Sequence, residues 1–232
     1  MVSELTSQDQ RLPRLGGSVA LSSPERRSPE PVPASQSRPL PGGGSVRPIT
    51  RWGTPVMHRE LEDVTVFDDE LETLVKDMVA TMYAAKGVGL AANQVGVDLK
   101  VFVFDCPDDD NNQITGVVCN PVLHLPEGKD RNLEDEDEGC LSLPGAFTSC
   151  ARPDRAHVTG VDQTGAPVEF VGDGLLARCL QHETDHLFGT VFGDRLPERS
   201  RKKLYKQHQE LADNYPEDWP ITVLVDDPVI DR

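Results

Sequence analysis

Residues His182-Glu183-Thr184-Asp185-His186 constrain this chain more than any other stretch, because two imidazoles stand four positions apart with a carboxylate beside the first. On a helix such residues share one face about 6 Å apart, so both rings can grip one ion while Glu183 reaches a water on it. A divalent ion brings that water's pKa towards 7, and the carboxylate takes its proton as the water attacks a carbonyl. An accidental match in a chain of this size arises at a frequency on the order of one in a hundred. The flanks make accident rarer still. Asp173 stands as an N-cap, Leu175, Leu176, Cys179, Leu180 and Leu187 recur at helical spacing, and Gly189 ends the run.

Two histidines fall short of the three protein ligands typical of a catalytic site. The longer pattern with a third histidine is excluded, since Gly189 fits it but position 192 is Phe192. Glu198 and Glu210 could serve in principle, yet neither sits in a motif. Sulfur is the better donor, and two cysteines compete. Cys179 shares the stripe with His182 and His186, but seven residues of helix span ~10.5 Å against metal–ligand bonds of ~2.0–2.3 Å. Cys140, in Glu138-Gly139-Cys140-Leu141-Ser142, comes from a separate segment and meets no such veto. The glycine before it lets backbone approach closely. The expected ligand set is therefore Cys140, His182 and His186, with Glu183 as the acid–base. Cys106, Cys119 and Cys150 read as small buried side chains.

A formal net charge of −16 argues against general affinity for free nucleic acid or anionic membrane. No apolar run approaches the ~18 residues of a membrane span. Five cysteines without a C-x-x-C pair, and no signal segment at Met1, point to a cytoplasmic chain with reduced thiols. Apolar residues at 37% suggest that part of the chain lies outside any core. The Pro-, Ser-, Gly- and Arg-rich stretch 1–46 is expected to be a disordered leader. Glu4, Asp9, Glu25 and Glu30 argue against a transit peptide there, and loss of residues 2–45 is expected to be neutral. The catalytic domain is expected over 47–214, followed by an acidic tail over 215–232.

Within the domain, Asp68 or Asp69 caps a helix carrying Leu71, Leu74, Val75, Met78, Val79 and Met82, stopped by Gly87. Lys100 to Phe104 and Val117 to Leu125 read as strands, the second interrupted at Pro121. Residues 156–171 form two strands around Gln163-Thr164-Gly165. Glu134 to Glu138 reads as a solvated loop for all but Glu138, and a polar third helix runs from about Pro197 to Asp213. Gly87-x-Gly89 lacks a third glycine and follows a helix, which excludes a dinucleotide fingerprint. Strands without alternating βαβ units make the class α+β.

Three motifs in order carry a family resemblance: Gly87-Val88-Gly89-Leu90-Ala91-Ala92-Asn93-Gln94, Glu138-Gly139-Cys140-Leu141-Ser142, and Gln181-His182-Glu183-Thr184-Asp185-His186. Together they resemble the peptide deformylases over roughly Pro48 to Leu196. The resemblance implies antiparallel sheets around a central helix bearing the metal motif. It implies hydrolysis of N-formylmethionyl peptides to formate and a free amino terminus, during protein biosynthesis. Cys140, His182 and His186 would hold the metal and Glu183 would shuttle protons. The Gln94 amide and the Leu141 backbone N–H would form the oxyanion hole. Val88, Gly89 and Gly139 would hold the peptide backbone extended, with Val88, Leu175, Cys179 and His182 lining the methionine pocket. Glu138 and Arg152 would brace the site. The implied ion is Fe²⁺, with Zn²⁺, Ni²⁺ or Co²⁺ able to replace it, although donor softness alone suits zinc.

A metallopeptidase is the competing function, and the thiolate ligand separates them, since peptidases of this motif usually add an oxygen or nitrogen donor. Arg195, Arg199, Arg201, Lys202, Lys203 and Lys206 cluster in an otherwise acidic chain, a candidate contact for the ribosome. The plainer account of that cluster is a solvated helix face.

Overall fold

The computed structural model describes residues 37–221, so most of the expected leader and the end of the expected tail lie outside the described residues. Helix α1 spans Asp69–Ala84, and its first turn is closed by the Asp68 carboxylate, which accepts from the Glu70 and Leu71 N–H groups at 3.1 Å each. Its apolar stripe is buried from Leu71 to Met82. The chain leaves the helix through Lys86 at φ 57°, with Gly87 N–H donating back to the Met82 carbonyl.

Five antiparallel strands form the main sheet: β1 (Gly89–Ala91), β2 (Val101–Pro107), β3 (Gln113–His124), β6 (Arg155–Val161) and β7 (Pro167–Asp173), in that spatial order. Helix α2, Gly174–Leu187, lies against β1, β2, β6 and β7. Strand β2 is buried on both faces. Phe102, Phe104 and Cys106 pack towards α2 with Phe170, Leu176 and Leu180, while Val101 and Val103 pack towards α1 with Leu74, Met78 and Met82. That is why β2 reads as an unbroken apolar run instead of an alternating one. Phe104 meets Phe170 edge-to-face at 4.9 Å in the first of these layers. The interruption expected at Pro121 is a register shift between Cys119 and Val122, where a residue without an N–H cannot hold the ladder. Asn120 sits there at φ 51° and uses its side chain to bind the Val64 N–H and carbonyl.

One expectation is corrected. Residues 134–137 are not a loop but, with Glu138, part of strand β4 (Leu133–Gly139), paired with β5 (Phe147–Pro153) in a second, two-stranded sheet. Residues 133–137 are all exposed, so no alternation of apolar and polar residues marked the strand. Their charge also discourages a further strand from adding to the edge.

Residues 37–46, assigned from sequence to the leader, are tied to the body. The Arg38 N–H donates to the Thr115 carbonyl at 2.9 Å, its guanidinium pairs with Asp162 at 2.7 Å, and the Ser45 N–H donates to Asp77. At the other end Trp219, assigned to the tail, is only 7% exposed and packs in the α1 core. Helix α3 spans Glu198–Glu210. Among the described residues no helix is long and apolar enough to cross a membrane.

Candidate metal and hydrolytic site

Helix α2 delivers His182, Glu183 and His186 on one face, and Gly139 at the end of β4 delivers Cys140 opposite them. The donor atoms of Cys140, His182 and His186 all lie within 4.8 Å of one another, and all three residues are buried. Cys140 Sγ is 3.3 Å from His186 Nε2, and the two Nε2 atoms face each other at 3.1 Å. Two imidazole nitrogens and a thiol converging on one point form the donor set a borderline-soft divalent ion takes. Cys179 stays outside this set, its Sγ lying 3.6 Å from the Val88 carbonyl oxygen.

The rings are aimed by a buried ionic cluster. Glu138 Oε1 accepts from His182 Nδ1 at 2.7 Å, which turns Nε2 towards the site. Arg152 grips Glu138 with two bonds of 2.6 and 2.7 Å and donates to Asp185 at 2.9 Å. Arg178 adds a bond of 2.9 Å to Glu138. Arg195 pairs with Asp185 from the outer side. Burial alone would push the Glu138 carboxyl up, but Arg152 and His182 outweigh it and hold it well below the usual range. Burial opposes charge on both imidazoles as well. Contacts from Cys140 and Glu138 reverse this at His182 and raise its pKa, whereas at His186 burial, reinforced by His182, lowers it.

Glu183 is 4% exposed, and its Oε2 has no hydrogen-bond partner among the described residues. Burial, the largest influence, lifts its carboxyl to about 7. An unpartnered carboxylate poised near neutrality is matched to taking a proton and returning it. Gln94, 1% exposed, accepts from the Ala91 N–H through Oε1 at 2.8 Å, which directs its Nε2 to within 3.7 Å of Cys140 Sγ and 3.3 Å of Ser142 Oγ. Asn93 Nδ2 holds the His186 carbonyl at 2.8 Å, anchoring the end of α2.

These groups open onto a cavity of about 360 Å³. Val88, Gly89, Gly139, Leu141, Leu175 and Cys179 all line it, as do Gln94, Cys140, His182 and Glu183. Gly89 is required by space: a Cβ there would strike the Glu183 carboxylate and come within 2.9 Å of Cys179 Sγ. The site residues expected from the sequence line one cavity, except His186 and Arg152, which are buried outside its lining. Asp185, Arg178, Arg195 and Asn93 were not anticipated. Arg178 and Asp185 stand on the site helix and Asn93 within the first of the three motifs, whereas Arg195 lies beyond the helix in Phe192–Arg195. Tyr215 and Trp219 also line the cavity, from a segment read as tail.

The family model described as Polypeptide deformylase matches residues 46–202. Peptide deformylase 1 of Streptomyces avermitilis is 56% identical over 174 residues, covering 75% of this chain and 80% of the relative. Peptide deformylase 2 of Streptomyces coelicolor is 51% identical over 169 residues, covering 72% and 93% respectively. Among solved structures, a peptide deformylase from Legionella pneumophila superposes with a TM-score of 0.63 at 37% identity, covering 74% of this chain and all of its own. One from Synechococcus elongatus, in complex with actinonin, gives 0.64 at 34% identity, covering 76% and 94%.

Proposed function

This chain belongs to the polypeptide deformylase family, and on that premise we propose that it removes the formyl group from formylmethionine at the amino terminus of nascent polypeptides, releasing formate. The observation that carries this reading is the buried, unpartnered Glu183 carboxylate beside the Cys140–His182–His186 set, at the floor of an open cavity. The residues fit a metal ion, because three donors of suitable softness converge and Glu138 presents the His182 ring with Nε2 free for it. We assign Cys140, His182 and His186 as its ligands, with ferrous iron as the resident ion and zinc, nickel or cobalt able to substitute. When bound, the ion supplies Lewis-acid activation of water and of the formyl carbonyl.

The protein's own groups do the rest. Glu183 accepts a proton from the attacking water and returns it to the leaving nitrogen as the C–N bond breaks. The Gln94 amide and the Leu141 N–H donate to the formyl oxygen as charge develops there. Val88, Gly89 and Gly139 hold the peptide backbone in an extended pose, and Val88, Leu175, Cys179 and His182 enclose the methionine side chain. In this reading the two sheets enclose α2 as the helix that carries the metal motif.

The domain responsible is assigned to 47–214, with residues 37–46 and 215–221 packed on it, in a cytoplasmic protein. Docking on the ribosome through α3 is proposed on its exposed Arg199, Lys202 and Lys203, and co-sedimentation that persists in Lys202→Glu with Lys203→Glu would rule it out. For the activity, the metal-loaded protein is incubated with formyl-Met-Ala-Ser, and formate release is scored against peptide-bond cleavage to formyl-Met and Ala-Ser. Formate with an intact tripeptide supports deformylation. Cleavage of the Met–Ala bond with the formyl group retained would make the chain a metallopeptidase instead.

A further inference from the structure

The cavity does not end at the methionine pocket. Its lining also includes Gly87, Leu141, Gly145 and two aromatic residues, Tyr215 and Trp219. Both lie beyond residue 202, where the family match stops. The segment that carries them is firmly held. Arg51 donates to the Tyr215 carbonyl at 2.9 Å and the Pro216 carbonyl at 2.8 Å, and its guanidinium lies 5.6 Å from the centre of the Trp219 ring. The Ile49 N–H binds the Trp219 carbonyl at 2.9 Å. The two rings meet edge-to-face at 5.3 Å, which fixes their orientation towards each other. Gly145, at φ 79°, lets the chain pass closely beneath Tyr215, since a Cβ there would come within 2.9 Å of Tyr215 Cε2.

We propose that Tyr215 and Trp219 form an apolar wall that selects an apolar side chain one or two residues downstream of formylmethionine. This rests on the deformylase reading, and it makes sequence preference a property of the C-terminal segment. Three observations favour it. The wall belongs to the same cavity as Glu183, Cys140 and His182, so a substrate held beside those groups reaches it. An extended peptide advances ~3.3 Å per residue and turns successive side chains to opposite sides, so residues beyond methionine must meet the cavity's further lining. Beside the two rings lie Ala85, Leu141 and Pro144, an apolar surface that rewards burial of apolar side chains, while the charged groups of Lys86 and Asp137 line the same cavity.

The test measures kcat/KM for formate release from formyl-Met-Leu-Ser against formyl-Met-Gly-Ser, and from formyl-Met-Ala-Leu against formyl-Met-Ala-Gly. The metal-loaded full chain is compared with Tyr215→Ala and Tyr215→Phe. Full-length protein should favour leucine over glycine by about tenfold in at least one pair, carried mainly by KM. The preference should fall below about threefold in Tyr215→Ala and return in Tyr215→Phe, which keeps the ring. If Tyr215→Ala does not melt cooperatively, Trp219→Leu is read the same way. Equal rates for leucine and glycine, or an unchanged preference in the alanine variant, would overturn the wall but leave deformylation standing. Formate from none of the four peptides would overturn both.

Discussion

Replacing Glu138 by glutamine should be among the most costly isosteric changes in this protein. The carboxylate is 5% exposed and accepts from Arg152 twice, Arg178 once and His182 once, at 2.6–2.9 Å. Arg152, 2% exposed, and Arg178, 7% exposed, would keep their charges, while an amide offers one acceptor oxygen and a misplaced NH₂. Removing one partner from a buried ion pair costs about 3–5 kcal/mol, because the remaining charge is stranded. Asp185 still holds Arg152 at 2.9 Å, which keeps the expected loss at the lower part of that range. At roughly 2–4 °C per kcal/mol, the melting temperature should fall by about 6–15 °C. Melting by circular dichroism is done on metal-free protein, so that ion binding does not add to the reading. The same substitution should weaken metal affinity by about 10–100-fold, read by competition with a chelating dye, since His182 loses the carboxylate that orients it. A melting temperature within 2 °C of the parent, with unchanged metal affinity, would refute this account of the cluster.

Cys140→Ala should leave the protein folded but without stoichiometric metal by elemental analysis, and full occupancy would remove Cys140 from the ligand set. Asp162 is held below the usual carboxylate range, because hydrogen bonds from Thr164 and Ala166 and the charge of Arg38 outweigh its burial. A depressed folded pKa stabilises above the unfolded value, about 4, and that contribution is lost as pH falls through the folded value. Asp162→Asn should therefore cost about 1–2 kcal/mol in urea melts at pH 7, narrowing below pH 4; a penalty constant with pH would contradict this. A chain starting at Arg47 should be less stable than one starting at Ser37 by about 1–3 kcal/mol, because the Arg38–Asp162 and Ser45–Asp77 bonds are lost. Equal urea midpoints would show that residues 37–46 contribute nothing.

Where periodicity and caps agreed with burial, the sequence was readable. Asp68, the α1 stripe, the β6–β7 hairpin and the α2 helix all follow from local signals that the tertiary structure reinforces. The geometric veto on Cys179 led to Cys140, which the structure brings to both histidines. Strand β4 was illegible because residues 134–137 pair through backbone and keep their carboxylates in water, so no period of two appears. Segments 37–46 and 215–221 look like linker by composition. Their order comes from long-range partners, Thr115, Asp162 and Asp77 for the first and Arg51 and Ile49 for the second, which no local window contains. The arginine shell of Glu138 and Asp185 was legible only in part, since its members come from β4, β5 and α2.

The central claim is that Glu183 moves the proton while Cys140, His182 and His186 hold the ion. The direct measurement is formate release by Glu183→Gln from formyl-Met-Ala-Ser, with metal content determined on the same sample. The account predicts metal at the parental level and turnover lower by about 10²–10⁴, the loss expected for a positioned acid–base. Turnover at the parental rate with metal retained would contradict it.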